Sequence, residues 1–396
     1  MRVILLKGGS AYDALRVFID EIEAAFIRRG DEVRIIDLLG TPDFDPLLNA
    51  AAAGGPWDLV FSFNILAEYR DAAGRSIGEI LQAPHVFHYV DHPFTHLNRL
   101  ERTGPAAAIM TIDRSHGEAI RAAYPAHRFG HICFCPHAAI GEQAPAAADT
   151  AAFMEQRPIP VLFSGTFYKA GDVAWANLEP RVRRVFQDAF EIANSAEWMS
   201  ATLAMDAAMR AHGLDPDAPE HQGFRKNSGF VHEHVRLGRR FDALKAAAKA
   251  GVPLHVYGKG YEKHLYRFRN VTYGGEAHFR QVVDLMRQSR VVLNINANFG
   301  QGSHERPLTA LLAGAAVATD ASTFYAENFD EGRDLLVYRW KALAEGMEAL
   351  AELARDPARA RDMAMSGQQK VVAGHRWDHR LATIIAAADA VRAAPP

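Results

Sequence analysis

RVVLNINANFGQGSHERPLTALLAGAAVATD, residues 290–320, is the stretch that decides the fold class. The apolar run at residues 291–295 is typical of a strand buried on both faces, and a second such run begins at Ala315. Between them, a polar loop that contains glycine leads into a helix whose leucines recur at helical spacing. Strand, loop, helix and strand in this order predict a parallel α/β unit.

The loop before this helix is the first candidate for a ligand site, because ligands in open α/β sheets bind at the carboxyl ends of strands. A helix start offers backbone N–H groups and a partial positive charge, which suit an anion. Arg306 adds a fork of donors that matches phosphate, although a structural ion pair is the alternative. Asn296 either contacts a ligand or forms the turn.

Length and composition indicate a large globular protein. The chain has 396 residues, enough for two domains, with 49% apolar and 23% charged residues. The net charge of -3 argues against a nucleic-acid partner or a polybasic membrane surface. The chain starts directly on an apolar strand without a signal peptide, and no apolar run is long enough to span a bilayer. We therefore expect a cytoplasmic protein without a transmembrane segment.

The two cysteines, Cys133 and Cys135, alternate along one apolar run. Two cysteines are too few for a disulfide scaffold, and their alternation favours packing within a strand. A metal pair with His131 or His137 is the alternative, but two sulfurs alone are weak evidence for it. We predict no metal site.

Strand and helix patterns alternate along both halves of the chain, which predicts parallel sheets covered on both faces. The predicted organisation is an N-terminal Rossmann-like domain (1–145), a linker (146–158), a second domain (159–375) with a helical insertion (170–234), and a terminal helix (376–396) that packs back toward the first domain. Two such domains facing a cleft, with a C-terminal crossover helix, describe the GT-B architecture. Periodicity alone also allows other paired α/β folds, such as periplasmic binding proteins.

The second half resembles the CgeB-like glycosyltransferases, a spore-maturation-protein family with the GT-B fold. The likeness lies in the order of several stretches between about Val161 and Leu381: VLFSGTFY, LHVYGKGY, VTYGGEAHFRQVVDLMRQSRVVLNIN, SHERPLTALLAGAAVATD, FYAENFDEGRDLLVY and GHRWDHRL. The first half resembles the family less closely, chiefly through FHYVDHPF.

The resemblance implies transfer of a sugar from a nucleoside diphosphate sugar, of the UDP or GDP type, without a further cofactor. We expect the donor to contact residues that follow the strands of the second domain and the start of the helix after residue 303. These are Gly165, Thr166, Gly258, Lys259, Tyr273, Gly274, Asn296, Ser303, His304, Glu305, Arg306 and Thr309. For Lys259 the alternative is a solvated surface lysine, and for Tyr273 a core tyrosine beside a tight turn.

One position departs from the family. The family commonly has a glutamate three residues after the arginine, where it contacts the donor ribose, and here that position is Thr309. Glu305, beside Arg306, is a possible substitute if the helix starts early enough. A bond between a carboxylate and a hydroxyl contributes about 1.5–3 kcal/mol, so the exchange could alter donor choice or leave a protein without transferase activity.

In the first domain, polar residues follow two predicted strands. Asp91 and His92 come at the end of one strand and are the candidates for removing the acceptor proton or holding a sugar hydroxyl. A turn cap and a surface histidine are their alternatives. His88, Gly9 and Ser10 are candidate acceptor contacts. The GGS turn lacks the full GxGxxG fingerprint, so a dehydrogenase is disfavoured.

The sequence therefore predicts a metal-independent hexosyltransferase, of the retaining type by resemblance, acting on a glycan, lipid-linked or protein acceptor. A nucleotide-sugar 2-epimerase and a non-catalytic nucleotide-sugar-binding protein are the alternatives. The first would form product without an acceptor, and the second would bind donor without turnover.

Overall fold

A computed structural model describes residues 1–40, 43–64, 69–167, 173–296 and 299–394. The chain forms two compact units, Met1–His137 with Trp377–Pro396, and Ala138–Arg376. Residues 170–172 of the predicted insertion, and Asn298 of the loop in the quoted stretch, lie outside the described residues. None of the helices among the described residues is long and apolar enough to cross a membrane.

The first unit contains a parallel sheet of six strands in the order β2-β1-β3-β4-β5-β6. The strands are β1 (Arg2–Lys7), β2 (Glu32–Asp37), β3 (Leu59–Phe63), β4 (His85–Tyr89), β5 (Ala107–Thr111) and β6 (His131–Phe134). All residues of β3, β4 and β5 are buried. This burial explains why apolar residues predominate in these strands, and the parallel sheet predicted for the first half is confirmed.

The second unit contains a second parallel sheet in the order β12-β11-β10-β7-β8-β9. Its strands are β7 (Ile159–Ser164), β8 (Leu254–Tyr257), β9 (Val271–Gly275), β10 (Ser289–Leu293), β11 (Ala316–Asp320) and β12 (Leu336–Tyr338). The predicted pair of parallel sheets is confirmed. Strand β12 was not predicted, because three residues at the edge of a sheet are too few to show a period.

The helices cover both sheets and build the insertion. They are α1 (Ala14–Arg29), α2 (Asp45–Ala53), α3 (Ile77–Leu81), α4 (Leu97–Arg102), α5 (Arg114–Ala123), α6 (Thr150–Gln156), α7 (Pro180–Ser195), α8 (Ala201–Ala211), α9 (Gln222–Lys226), α10 (Ser228–Lys249), α11 (Glu262–Leu265), α12 (Phe279–Arg287), α13 (Glu305–Leu312), α14 (Thr323–Asn328), α15 (Leu343–Arg355), α16 (Pro357–Gly374) and α17 (Leu381–Ala393). Helix α6 lies within the stretch that the sequence predicts as a linker, and Asp149 caps it.

Between β7 and β8, helices α7 to α9 form a hydrophobic core of their own, around residues such as Trp175 and Phe186. Helix α10 contributes to two cores. Val231 and Val235 in its first half pack in the insertion, while Leu244 in its second half packs against the sheet. One continuous helix therefore runs past the predicted end of the insertion at residue 234 and connects it to the sheet.

The C-terminal segment belongs to the first unit, where the guanidinium of Arg380 donates to the carbonyl oxygens of Pro136 and His137 at 3.0–3.3 Å.

The two cysteines lie in and directly after β6, and burial raises the pKa of Cys133 to about 11 and that of Cys135 to about 12. Because a metal ligand must be a thiolate, these raised pKa values favour the packing role.

Candidate functional site

Two glycine turns meet at the carboxyl edge of the second sheet. The Gly165 N–H donates to the Tyr257 carbonyl oxygen (2.9 Å), and the Phe167 N–H donates to that of Lys259 (2.8 Å). A Cβ atom on Gly258 would lie 1.7 Å from the Gly165 carbonyl oxygen, and φ of Gly258 is +131°. Only glycine therefore lets the turns after β7 and β8 approach this closely.

Arg306 lies at the start of α13 with its guanidinium held by an amide. Its Nη1 donates to Asn294 Oδ1 at 2.8 Å, and Asn294 Nδ2 donates to Thr319 Oγ1 at 2.9 Å. Arg306 is 8% exposed. Among the described residues no carboxylate forms an ion pair with it, so its charge suits an anionic ligand.

Two further arginines of this site, Arg236 and Arg240 on α10, were missed by the sequence analysis. Arg240 Nη1 donates to the carbonyl oxygen of Thr166 at 2.6 Å, so it reaches the turn after β7. Burial lowers the pKa of Arg240 to about 10, and the positive charges of Arg236 and Arg306 also contribute to lowering it. The sequence pattern that could have identified these arginines is their helical spacing, because residues 236, 239 and 240 share one face of a helix.

The three guanidinium groups form a site with excess positive charge. Glu233 pairs with Arg236, whereas the positive charge of Arg306 contributes to lowering the pKa of Arg240. Burial raises the pKa of Tyr261 to about 12, and the positive charges of Arg240, Arg306 and Arg236 oppose this shift. Like charges with little solvent repel one another, and a bound dianion would remove the repulsion.

The start of α13 offers fewer amide donors than its sequence predicts. His304 Nδ1 lies 3.4 Å from the backbone N of Arg306, and Pro307 has no N–H to offer. The Glu305 carboxylate contacts the His304 ring, and burial lowers the pKa of that histidine. The arginine side chains are therefore the main source of positive potential here.

Asn296 holds the loop that precedes α13. Its Nδ2 donates to the carbonyl oxygens of Phe299 (2.7 Å) and Gly302 (3.2 Å). Its Oδ1 accepts from the His304 N–H (2.9 Å) and from the Tyr325 hydroxyl (3.1 Å). Because its amide is occupied by these four bonds, the structure favours the loop-forming role over ligand contact.

Two other candidate donor contacts on this segment are fully buried. The hydroxyl of Ser303 has no hydrogen-bond partner among the described residues, so it could donate to a ligand group that enters the loop. Thr309 Oγ1 accepts from the Ile140 N–H at 3.2 Å, a backbone contact within the same unit. The Thr309 hydroxyl therefore has a backbone partner at the position where the sequence resemblance implies a glutamate, and Glu305 in the first turn of α13 is 8% exposed.

The remaining candidate donor residues lie at the outer part of this edge. Lys259 is exposed, with its Nζ 3.7 Å from a carboxylate oxygen of Glu276. The Tyr273 hydroxyl donates to the Gly258 carbonyl oxygen at 2.7 Å, while 39% of the residue is exposed. A Cβ on Gly274 would lie 2.3 Å from the Tyr257 ring. Tyr273 is thus held by its hydroxyl with part of its surface accessible to a flat ligand.

In the first unit, Asp91 follows β4 at the carboxyl edge of the sheet. Its Oδ2 accepts from Asn64 Nδ2 at 2.8 Å and lies 3.2 Å from His96 Nε2. The Asp91 side chain is 57% exposed. Asn64 and His96, which no sequence pattern predicts as site residues, therefore orient a carboxylate that is open to solvent.

The two histidines predicted beside Asp91 are buried. His88 Nε2 lies 2.9 Å from the Cys135 carbonyl oxygen, and burial lowers the pKa of its imidazole to about 3. His92 Nδ1 accepts from the Phe94 N–H at 3.3 Å, and burial holds its pKa well below the usual value. These contacts favour a packing role for His88 and a capping role for His92.

The loop after β1 has an unusual backbone. Ser10 Oγ accepts from the Leu15 N–H at 3.0 Å, and a Cβ on Gly9 would make only an ordinary contact of 3.6 Å with Leu39. Tyr12 and Asp13 have φ of 57° and 60°. Left-handed conformations of such residues cost about 1–3 kcal/mol each and are frequent at functional sites. The left-handed residues are consistent with an acceptor-binding loop. The contacts of Gly9 and Ser10 themselves do not point to a ligand.

Comparison with known proteins gives one family match and a set of similar structures. Residues 239–386 match the family model described as glycosyl transferase-like. The structure is similar to sucrose-phosphate synthase from Thermosynechococcus elongatus, with 12% sequence identity over 98% of this chain and 96% of that chain and a TM-score of 0.54. Anabaena Alr3699/HepE, solved with UDP and glucose, aligns with 13% identity over 98% and 97% of the two chains and a TM-score of 0.49.

No curated protein sequence matches the chain. The matched segment begins within α10 and includes Arg240, the turn after β8 and the start of α13, so most of the arginine site lies inside it. At 12% identity, the similarity to sucrose-phosphate synthase establishes the fold alone. The chain has the GT-B fold of glycosyltransferases, and its residues 239–386 are similar to the glycosyl transferase-like family.

Proposed function

We propose that the protein is a glycosyltransferase that moves a hexose-type sugar from a nucleoside diphosphate sugar, with UDP or GDP as the nucleotide, to an acceptor hydroxyl. The observation that carries the proposal is the cluster of Arg236, Arg240 and Arg306, in which Arg240 donates to the turn after β7 and Arg306 lies at the start of α13. The positive charge of this cluster suits a diphosphate, and the family match of residues 239–386 includes Arg240 and Arg306.

Each part of the site has a proposed role. Arg240 and Arg306 hold the diphosphate and stabilise the charge that develops on it as the sugar leaves. Because these side chains supply positive charge at that place, we propose that transfer needs no metal. Gly165 and Gly258 let the diphosphate approach the backbone, and Tyr273 packs on the base. Retention of anomeric configuration and the CgeB-like subfamily belong to the same proposal through the sequence resemblance.

The test of this function is nucleotide binding followed by turnover, measured on the purified protein with EDTA present. A ligand at 100 times its dissociation constant stabilises a protein by about 2.7 kcal/mol, so UDP, GDP, ADP, dTDP and CMP can be compared by thermal unfolding. We expect one diphosphate to stabilise the protein and CMP not to do so. The sugars of that nucleotide are then tested for release of the diphosphate with candidate glycan, lipid-linked and protein acceptors.

The same measurements separate the alternatives. Stabilisation by none of the diphosphates would overturn the proposal. An isomerised sugar without an acceptor would indicate a 2-epimerase. Binding without any product would indicate a nucleotide-sugar-binding protein, the second candidate, which is favoured by Thr309 in place of the family glutamate and its bond to the Ile140 backbone.

Asp91 is the proposed general base in the first unit. Its carboxylate is exposed, and Asn64 and His96 orient it. Asp91→Asn is expected to lower the transfer rate about 10²–10⁴-fold, because the amide cannot accept the proton, while nucleotide binding is unchanged. Asp389→Asn, which alters an exposed carboxylate on α17 of the same unit, is the control. Transfer at the wild-type rate by Asp91→Asn would show that another group takes the proton.

A further inference from the structure

The helical insertion contacts the loop that precedes Arg306. An added Cβ on Gly300 would lie 1.9–2.1 Å from ring atoms of Trp198, so the indole rests directly on the backbone of this glycine. His232 of α10 stacks on Phe299, with ring centroids 5.7 Å apart and planes at 18°. Trp198 and His232 both belong to the helical insertion between β7 and β8, which is additional to a simple strand–helix–strand unit.

A second connection runs through hydrogen bonds from the same segment. The Glu197 carboxylate accepts from the backbone N–H groups of Trp340 and Lys341, both at 2.9 Å. The Trp340 indole donates to Asp320 Oδ2 at 3.2 Å, and Asp320 Oδ1 accepts from the Asn296 N–H at 2.6 Å. Asn296 in turn binds the loop carbonyls and accepts from the N–H of His304, the N-cap residue of α13. The series of hydrogen bonds therefore connects Glu197 to the start of α13.

Arg239 holds the segment around Glu197, where this series of hydrogen bonds begins. Its guanidinium donates to the carbonyl oxygens of Ala193, Ala196 and Glu197 at 2.7–3.3 Å, and lies 4.9 Å from the Trp340 ring centroid. Arg239 is 3% exposed. The connection between α7 and α8, residues 196–200, is therefore held against the same tryptophan that contacts Asp320.

We propose that residues 196–200 of the insertion are a positioning element for the anion site, and that Trp198 is its principal positioning residue. It fixes the loop 299–304, and through the loop the start of α13, so that Arg306 is preorganised for a diphosphate. The identity of the ligand rests on the proposed function, whereas the coupling between insertion and loop rests on the contacts alone. Preorganisation of a loop raises affinity because its ordering cost is met before the ligand binds.

Trp198→Ala is the test, with Trp198→Phe as the conservative variant and Leu203→Ala, an exposed residue of α8, as the control. Hydrogen–deuterium exchange of peptides covering residues 296–306 is measured without ligand. We expect exchange to rise about 10-fold in Trp198→Ala, to return toward wild type in Trp198→Phe, and to stay unchanged in Leu203→Ala. Exchange in Trp198→Ala equal to that of the wild type would overturn the proposal.

Nucleotide binding is then measured on the same variants with the diphosphate that stabilises the wild type. We expect the dissociation constant and the KM for donor to rise about 10-fold in Trp198→Ala, with a smaller change in kcat. Faster loop exchange with unchanged affinity would overturn the link to the ligand site. If the wild type binds no diphosphate, the proposed function fails, and faster loop exchange in Trp198→Ala would still establish the positioning element.

Discussion

Arg306→Ala is expected to raise the dissociation constant for the nucleoside diphosphate about 100-fold, which corresponds to about 2.7 kcal/mol. The guanidinium is 8% exposed, and Asn294 Oδ1 holds it at 2.8 Å, so its orientation is set before a ligand binds. Hydrogen bonds to charged groups contribute about 1.5–3 kcal/mol each, and loss of one or two of them to phosphate gives this effect. Titration calorimetry of UDP or GDP, without added metal, measures it.

Two further variants test the reason for the loss. Arg306→Lys keeps the charge but not the fork of donors, so its affinity is expected to lie between those of wild type and Arg306→Ala. Arg333→Ala removes an arginine of the same unit whose side chain is 69% exposed, and should bind as the wild type does. Wild-type affinity in Arg306→Ala, with a normal melting temperature, would show that the diphosphate does not bind at this arginine.

The architecture was predictable because strands that are buried on both faces are rich in apolar residues, which is visible in the sequence. Strands β3 to β5 and β10 to β11 are almost completely buried, and most of their residues are apolar. The glycine turns after β7 and β8 were also visible, since residues that allow close approach follow strands at the ligand-binding edge. The fold class therefore follows from local patterns, and the same patterns indicate where a candidate site lies.

The composition of the site was less predictable, because it depends on contacts between distant residues. Arg240 reaches Thr166 across 74 positions in sequence, so no local pattern links them. The chemistry of Asn296 and His88 suits a ligand site, but their side chains are taken up by the loop and the core respectively. A polar residue at a strand end has the same sequence signature in either role, and only its partners distinguish them.

Gly258→Ala is expected to cause the largest structural effect at the site. The new Cβ would lie 1.7 Å from the Gly165 carbonyl oxygen, and the backbone has φ of +131°. Backbone strain should lower the free energy of unfolding by about 1–3 kcal/mol, and overpacking should lower it by about 1–3 kcal/mol more. The Gly165–Thr166 turn must also move away, which takes the Thr166 carbonyl oxygen from Arg240. We expect a lower melting temperature and loss of stabilisation by the diphosphate.

Gly251→Ala separates the two causes, because Gly251 also has a positive φ, +77°, but no atom within 4 Å of an added Cβ. This variant should show the conformational cost alone, about 1–3 kcal/mol, and keep wild-type nucleotide affinity. Thermal unfolding with and without the diphosphate compares both variants. Equal affinity losses in the two would mean that reduced stability of the unit, rather than the contact between the turns, controls binding. Loss in Gly258→Ala alone would show that the ligand site depends on the close approach of these two turns.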